Sequence, residues 1–268
     1  MDTTQQRLPV MGCDIHVARR GTGAPVLLLH GNPDSSLVWR GVMARLADRF
    51  DCVAPDLPGY GHSVAPREFD YGLESMARWV DELVTALNLP TPLNVAGHDF
   101  GGVYALAWTA TRPQRVRRIA ISNIVFSADY RWHLWARIWR TPLLGELSLL
   151  ALSPRSARAS LKRSSPRLPD AYFDETYGLV TPAVKRRILR LYRTLTPATF
   201  APWRPRVEAA LAQVPLAVLW GDGDPYVADA WADDLPAQRV RHFAAAGHWL
   251  PVVEPQATAD ALAEFFAS

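Results

Sequence analysis

Two cysteines in 268 residues are too few for a disulfide framework, and Cys13 and Cys52 do not stand at the spacing of a metal-ligand pair. Both are expected as reduced thiols packed like small hydrophobes. No stretch approaches the ~20 consecutive apolar residues of a membrane-crossing helix. Apolar runs such as residues 26–29 and 216–220 are only strand-sized. Residues 1–9 are polar and lack the apolar segment of a secretory signal, so a cytoplasmic location without membrane insertion is the expectation. The chain has no internal repeat and no low-complexity tract. An excess of one charge is also missing: 29 Lys and Arg against 26 Asp and Glu leave +3. Arginines crowd the stretch from Arg131 to Arg206, but no base-stacking module accompanies them, which argues against nucleic acid as a partner. They read as solvated helical faces.

What is present is the composition of a globular protein, 49% hydrophobic and 21% charged, long enough for a sizeable core. A domain takes roughly 100–200 residues, so one or two would fit. The order of elements decides. Residues 14–19, 25–30, 51–54, 93–96 and 116–122 read as short buried strands. Residues 37–50, 72–89 and 101–111 carry apolar side chains at helical spacing. Such alternation predicts βαβ units and a parallel sheet. From 123 to about 205 no strand-like run occurs; tryptophans, arginines and prolines suggest several helices. Alternation then resumes with a strand at 216–220, a helix at 226–234, a strand at 240–243 and a closing helix at 255–266. The expected architecture is one α/β domain, residues 1–122 and 206–268, interrupted by a helical insertion at 123–205.

The central motif is Gly97-His98-Asp99-Phe100-Gly101-Gly102, between an apolar strand and an apolar helix. Glycines on both sides of one reactive residue suit a nucleophile elbow, where the side chain stands at a tight turn facing the N-terminus of the next helix. Serine usually occupies that turn. Aspartate changes the chemistry: a carboxylate needs no base to ionise and attacks an sp³ carbon bearing a leaving group to give an alkyl ester. Water must then hydrolyse that ester, which calls for a general base. His248, in Ala246-Gly247-His248-Trp249-Leu250-Pro251 after the last expected strand, fits the role. Asp224, in Gly221-Asp222-Gly223-Asp224-Pro225, fits the acid that orients the imidazole better than Asp222 does. The chain order nucleophile, acid, histidine is that of α/β-hydrolases. His30-Gly31-Asn32-Pro33 follows an early strand and offers a second oxyanion donor, the N–H of Asn32, beside that of Phe100. His30 itself reads as a packing residue, and the turn Leu57-Pro58-Gly59-Tyr60-Gly61-His62-Ser63 as structural.

Taken jointly, these segments resemble the α/β-hydrolase superfamily over nearly the whole chain, and within it the aspartate-nucleophile branch of epoxide hydrolases and haloalkane dehalogenases. The resemblance implies a mostly parallel sheet, a helical cap at 123–205 over a buried pocket, and no metal or organic cofactor. The two subfamilies divide the signals. Asn32 resembles the dehalogenase residue that helps hold the departing halide, but dehalogenases follow the nucleophile with a tryptophan where this chain has Phe100, which carries no N–H. Trp132, Trp135 or Trp139 of the cap are the substitutes available. Epoxide hydrolases usually have an aromatic residue at the position of Asn32 and use a cap tyrosine to protonate the opening oxygen. The cap supplies Tyr130, Tyr172, Tyr177 and Tyr192; Leu191-Tyr192-Arg193 resembles the family's late Tyr-Arg element, which makes Tyr192 the first candidate and Tyr177 the second.

Hydrolysis of a small apolar or aromatic epoxide to a vicinal diol is the reading favoured, with Trp39 and Trp249 expected at the pocket wall. Hydrolytic dehalogenation by the same triad is the alternative, and a silent small-ligand-binding protein on this scaffold a third. The expected partners are an apolar small molecule and water; a homodimer stays open.

Overall fold

The computed structural model describes residues 2–268. Eight strands form one sheet: β1 (Thr4–Val10), β2 (Cys13–Arg20), β3 (Ala24–Leu29), β4 (Phe50–Pro55), β5 (Leu93–His98), β6 (Val116–Ser122), β7 (Leu216–Gly221) and β8 (Arg239–Phe243). Their order is β1-β2-β4-β3-β5-β6-β7-β8. From β4 to β8 all pairing is parallel, whereas β2 runs antiparallel to both its neighbours.

The helices in chain order are α1 (Arg40–Leu46), α2 (Leu73–Ala86), α3 (Phe100–Thr111), α4 (Leu134–Arg140), α5 (Leu144–Ala151), α6 (Pro154–Ser164), α7 (Asp170–Gly178), α8 (Pro182–Thr194), α9 (Pro197–Phe200), α10 (Arg204–Leu211), α11 (Leu250–Val253) and α12 (Pro255–Ala267). Strand residues alternate between two cores, as a pleated strand must. Leu27, Leu29, Val95, Ile119, Ile121 and Val218 pack with α2, α3 and α10. Val26, Leu28, Ala96, Ala120, Ala217 and Leu219 pack with α1, α11 and α12 on the opposite face. Helices on both faces explain why these strands are continuously apolar. Helix α3 is buried nearly all round, which accounts for its lack of a polar face.

Seven helices, α4 to α10, lie between β6 and β7, and the first six fall in the inserted segment. Their starts are written locally: Pro154 and Pro182 occupy first turns, behind the side-chain caps of Ser153 and Thr181. The inserted segment rests on the sheet domain through side chains. Arg187 donates to the carbonyls of Gly59 and Ala65, Arg190 to those of Arg67 and Glu68, and Arg40 pairs with Glu175.

Three expectations change. Residues 37–50 are not one helix: a 3₁₀ turn at Ser36–Trp39 leads into α1, and Phe50, apolar enough for either period, pairs opposite Ala24 in the sheet. Residues 226–234 hold only a 3₁₀ turn, Asp229–Asp233, and the Tyr226 and Val227 N–H groups before it are taken by the Asp224 carboxylate. Strand β1 was not expected, since most of Thr4–Val10 is polar and exposed. It is fixed by backbone pairing with β2, which leaves no apolar alternation to read.

Candidate active site

Asp99 ends β5 and caps α3 with φ +51° and ψ −131°, a conformation rare for any L side chain. The glycines around it are required by space. A Cβ at Gly97 would meet the Gly102 backbone, and one at Gly101 the carbonyls of Leu29 and His30. The Gly31 backbone passes so close to the Asp99 carboxylate that a side chain there would displace it. Asp99 Oδ1 accepts the Asn32 N–H at 2.7 Å, and Oδ2 lies 3.6 Å from His248 Nε2. Burial raises the Asp99 carboxyl above the usual range, opposed by the charge of His248 and by the backbone N–H groups of Asn32 and Phe100.

On its other side His248 Nδ1 is 2.7 Å from Asp224 Oδ2. The structure therefore brings Asp99, His248 and Asp224 into one line. Asp222 is elsewhere, 2.6 Å from His242 Nδ1. The second Asp224 oxygen accepts from Tyr226 at 2.7 Å and Val227 at 3.0 Å. Burial pushes Asp224 up, but the charge and hydrogen bond of His248 and these N–H groups outweigh it and leave it low. Burial pushes His248 down, but Asp224, with Asp99 and Asp34 beyond it, raises it to about 9. His98, 4.9 Å from the His248 ring, is held neutral by burial and by that neighbour's charge.

The carboxylate and imidazole open into a cavity of about 190 Å³ between sheet domain and insertion. A pocket of about 150 Å³ admits benzene, so an aromatic or short alkyl molecule fits. Its wall includes Asn32, Phe100, Trp132, His133, Tyr192 and Trp249. Trp39, expected at this wall, is not there: it packs in the core beneath, with Val38 and Val42, because the 3₁₀ turn at Ser36–Trp39 directs it inward. Trp249 does reach the wall, with its indole N–H bound to Asp34 at 2.9 Å. Tyr177 also reaches it, but its hydroxyl donates to the Leu152 carbonyl at 3.1 Å. Tyr192 stands over the elbow, its ring edge-on to Phe100 at 5.3 Å and its hydroxyl toward the Asn32 amide. Among the described residues no group of His, Cys, Asp or Glu is clustered to hold a metal ion.

Residues 24–255 match the α/β hydrolase fold family. The chain belongs to that family. As an α/β hydrolase it is 28% identical over 261 residues to a cis-3-alkyl-4-alkyloxetan-2-one decarboxylase of Shewanella oneidensis, covering 89% of this chain and 80% of that protein. It is 42% identical to haloalkane dehalogenase 2 of Mycobacterium tuberculosis over 112 residues, which is 42% of this chain and only 39% of that one. Among solved structures, the haloalkane dehalogenase DbeA of Bradyrhizobium elkani superimposes with a TM-score of 0.86 at 28% identity, over 99% of this chain and 98% of that one. The epoxide hydrolase CorEH shares the fold, with a TM-score of 0.81 at 24% identity and 99% coverage of both chains. These likenesses fall in the branch that holds dehalogenases and epoxide hydrolases.

Three residues of this hydrolase's site escaped the sequence reading. Asn123, just after β6, donates from Nδ2 to Asp224 Oδ2 at 2.9 Å and accepts the Gly221 N–H at 3.1 Å, fixing the acid's loop to the sheet. Asp34, two positions beyond Asn32, is buried at the cavity wall between the Tyr172 hydroxyl and the Trp249 indole, and burial pushes it up to about 6. His133 accepts the Ala136 N–H on Nδ1 at 3.2 Å, so its proton sits on Nε2; burial pushes it down to about 4, which keeps it neutral. Only Asp34 had a local signal, its place in the His30–Asp34 loop.

Proposed function

We propose that this α/β hydrolase opens small apolar epoxides through an ester on Asp99. The observation that carries this reading is the Tyr192 hydroxyl. Three other inserted tyrosines at the cavity are engaged: Tyr130 with the Tyr226 carbonyl, Tyr172 with Asp34 and Tyr177 with the Leu152 carbonyl. Among the described residues Tyr192 has no such acceptor, and it faces the Asn32 amide beside the nucleophile. Burial, with the Asp99 charge, holds its phenol well above the ordinary value. It therefore stays protonated until a much stronger base, an alkoxide, forms next to it.

In this reading Asp99 Oδ2 attacks an oxirane carbon and the ring C–O bond breaks. The oxygen takes the Tyr192 proton, and the Asn32 amide supports the tyrosinate left behind. His248, oriented by Asp224, then removes a proton from water as the water adds to the Asp99 carboxyl carbon. The N–H groups of Asn32 and Phe100 face the resulting oxyanion. Collapse releases the diol, and the proton returns to Tyr192.

A second reading, dehalogenation, is favoured by one observation. The Trp132 indole N–H lies buried without a partner beside the same cavity, stacked on Phe100. In this second reading it would supply the donor that Phe100 lacks, on the cavity that Asn32 also lines.

The test is a His248→Gln variant incubated separately with styrene oxide, a bromoalkane and a 3,4-dialkyl oxetan-2-one, followed by mass spectrometry of the Asp99 peptide. Without its base the ester should accumulate. An adduct equal to the whole epoxide is expected. An alkyl adduct from the bromoalkane alone would move the reading to dehalogenation, and one from the oxetanone alone to the chemistry named for the Shewanella relative. No adduct from any of the three would leave a ligand-binding protein.

A further inference from the structure

The outer face of α4 and α5 is the one part of the molecule where apolar side chains are gathered in solvent. Seven large hydrophobic residues are exposed among the described residues, and five belong here: Leu134, Leu143, Leu144, Leu147 and Leu150. Leu143, Leu147 and Leu150 are 77%, 63% and 79% accessible. Helix α5 already has a packed side, where Gly145 and Leu149 are buried and Gly145 closes on Trp139 and Leu189. Leu144, Leu147 and Leu150 give it a second apolar face, and among the described residues nothing covers that face. Leu143 adds a separate observation. It sits at φ +67°, a backbone region where a bulky side chain is unfavourable, and the conformation holds that side chain out in solvent.

The charge around the patch selects its partner. Residues 131–163 carry seven Lys and Arg and one carboxylate, Glu146, which is bound by Arg193. Arg131, Arg137, Arg155 and Arg163 are exposed, and none has a carboxylate partner among the described residues. A second copy of the chain would bring these arginines toward one another, which opposes self-association. Exposed leucines in a segment that also carries unpaired cations match an interface of acyl chains under negative headgroups. We propose that α4 and α5 dock this protein onto an anionic lipid surface, peripherally and without a spanning segment. The same two helices carry Trp135, Trp139 and Leu149 to the cavity wall from their inner side. One helix layer would then separate the lipid from the cavity, which suits an apolar substrate dissolved there. The docking itself does not depend on which electrophile Asp99 attacks.

The experiment is co-sedimentation of the full chain with vesicles of phosphatidylglycerol and phosphatidylcholine, and with vesicles of phosphatidylcholine alone. Binding is expected to the anionic vesicles, weakened by salt, and weaker on the neutral ones. A variant carrying Leu143→Ser, Leu147→Ser and Leu150→Ser should lose at least about tenfold in vesicle affinity, because most of the insertable apolar area is gone. A variant carrying Arg137→Glu and Arg155→Glu should lose the preference for anionic lipid. Both should melt and turn over a soluble substrate like the parent. Absence of vesicle binding by the parent would overturn the proposal, as would equal binding by the leucine variant. So would a parent dimer that the leucine variant converts to monomer, since the patch would then be a self-interface.

Discussion

Two carboxylates face the two nitrogens of His248, Asp224 at 2.7 Å and Asp99 at 3.6 Å, and the imidazole is raised to about 9 as a result. In the free enzyme at neutral pH it is therefore an imidazolium, whose charge, with the N–H groups of Asn32 and Phe100, favours the anion of Asp99 against its burial. In the proposed mechanism, ester formation needs the Asp99 anion and no base. Its rate should fall in acid, over a range above that of an ordinary carboxylate because Asp99 is raised by burial. Hydrolysis of the ester needs neutral His248. Once Asp99 is esterified, its charge no longer supports the proton on Nε2, so the His248 pKa drops below its free-enzyme value. Single-turnover experiments should show hydrolysis rising with pH through a transition below 9. One shared transition near 9 for both half-reactions would contradict this account. The line of Asp99, His248 and Asp224 was legible as a candidate site because each residue stands beside glycines after a strand. Asn123 and His133 were not: an asparagine at φ +50° and a histidine capping a short helix carry no local sign of what they face.

At the scale of elements, the elbow shows how tightly sequence and structure are coupled. Gly97, Gly101 and Gly102 are fixed by the approach of α3 to β5 and β3. Gly97→Ala would push a methyl into the Gly102 backbone, which cannot move without shifting the first turn of α3. The expected loss is about 2–3 kcal/mol, as for an overpacked core. At ~2–4 °C per kcal/mol for a chain of this size, thermal melting should show it. Ester formation should slow in the same variant, because Asp99 rides on that turn; an unchanged melting temperature would refute the steric argument. The central strands were readable because helices cover both faces and the runs are continuously apolar. Strand β1 and the 3₁₀ turn after Asp224 were not, because register and a side-chain cap decide them rather than hydrophobic period.

Across the whole molecule, the sheet domain carries Asp99, His248 and Asp224 and the insertion carries Tyr192, so the proposed mechanism depends on how the two are held together. The arginines of α8, read from sequence as a solvated face, are part of that hold. Arg187 donates to the Gly59 carbonyl at 3.1 Å and to the Ala65 carbonyl at 2.6 Å, and Arg190 reaches Glu68 at 2.6 Å. Charge pattern alone could not distinguish these from free arginines, because their acceptors are mostly backbone carbonyls distant in sequence. Gly59 completes the arrangement: at φ +75°, a Cβ there would strike the Arg187 side chain. Arg187→Met keeps the aliphatic stem and removes both hydrogen bonds, for an expected loss of about 2–3 kcal/mol. Tyr192 lies little more than one turn further along α8, so the same change should displace the phenol relative to Asp99. Ring opening should slow by about tenfold to a hundredfold, the cost of misplacing a reacting group by roughly 1 Å. Hydrolysis of an ester already formed should keep its rate, since His248, Asp224 and the water they activate belong to the sheet domain. Rapid-quench measurement of the two half-reactions separates the effects. Equal slowing of both would mean that Arg187 supports the triad itself, and no slowing of ring opening would mean that Tyr192 is not the proton donor. Gly59→Ala should reproduce the Arg187→Met kinetics from the other side of the contact, and the double variant should be little worse than either single one, because both changes break the same link.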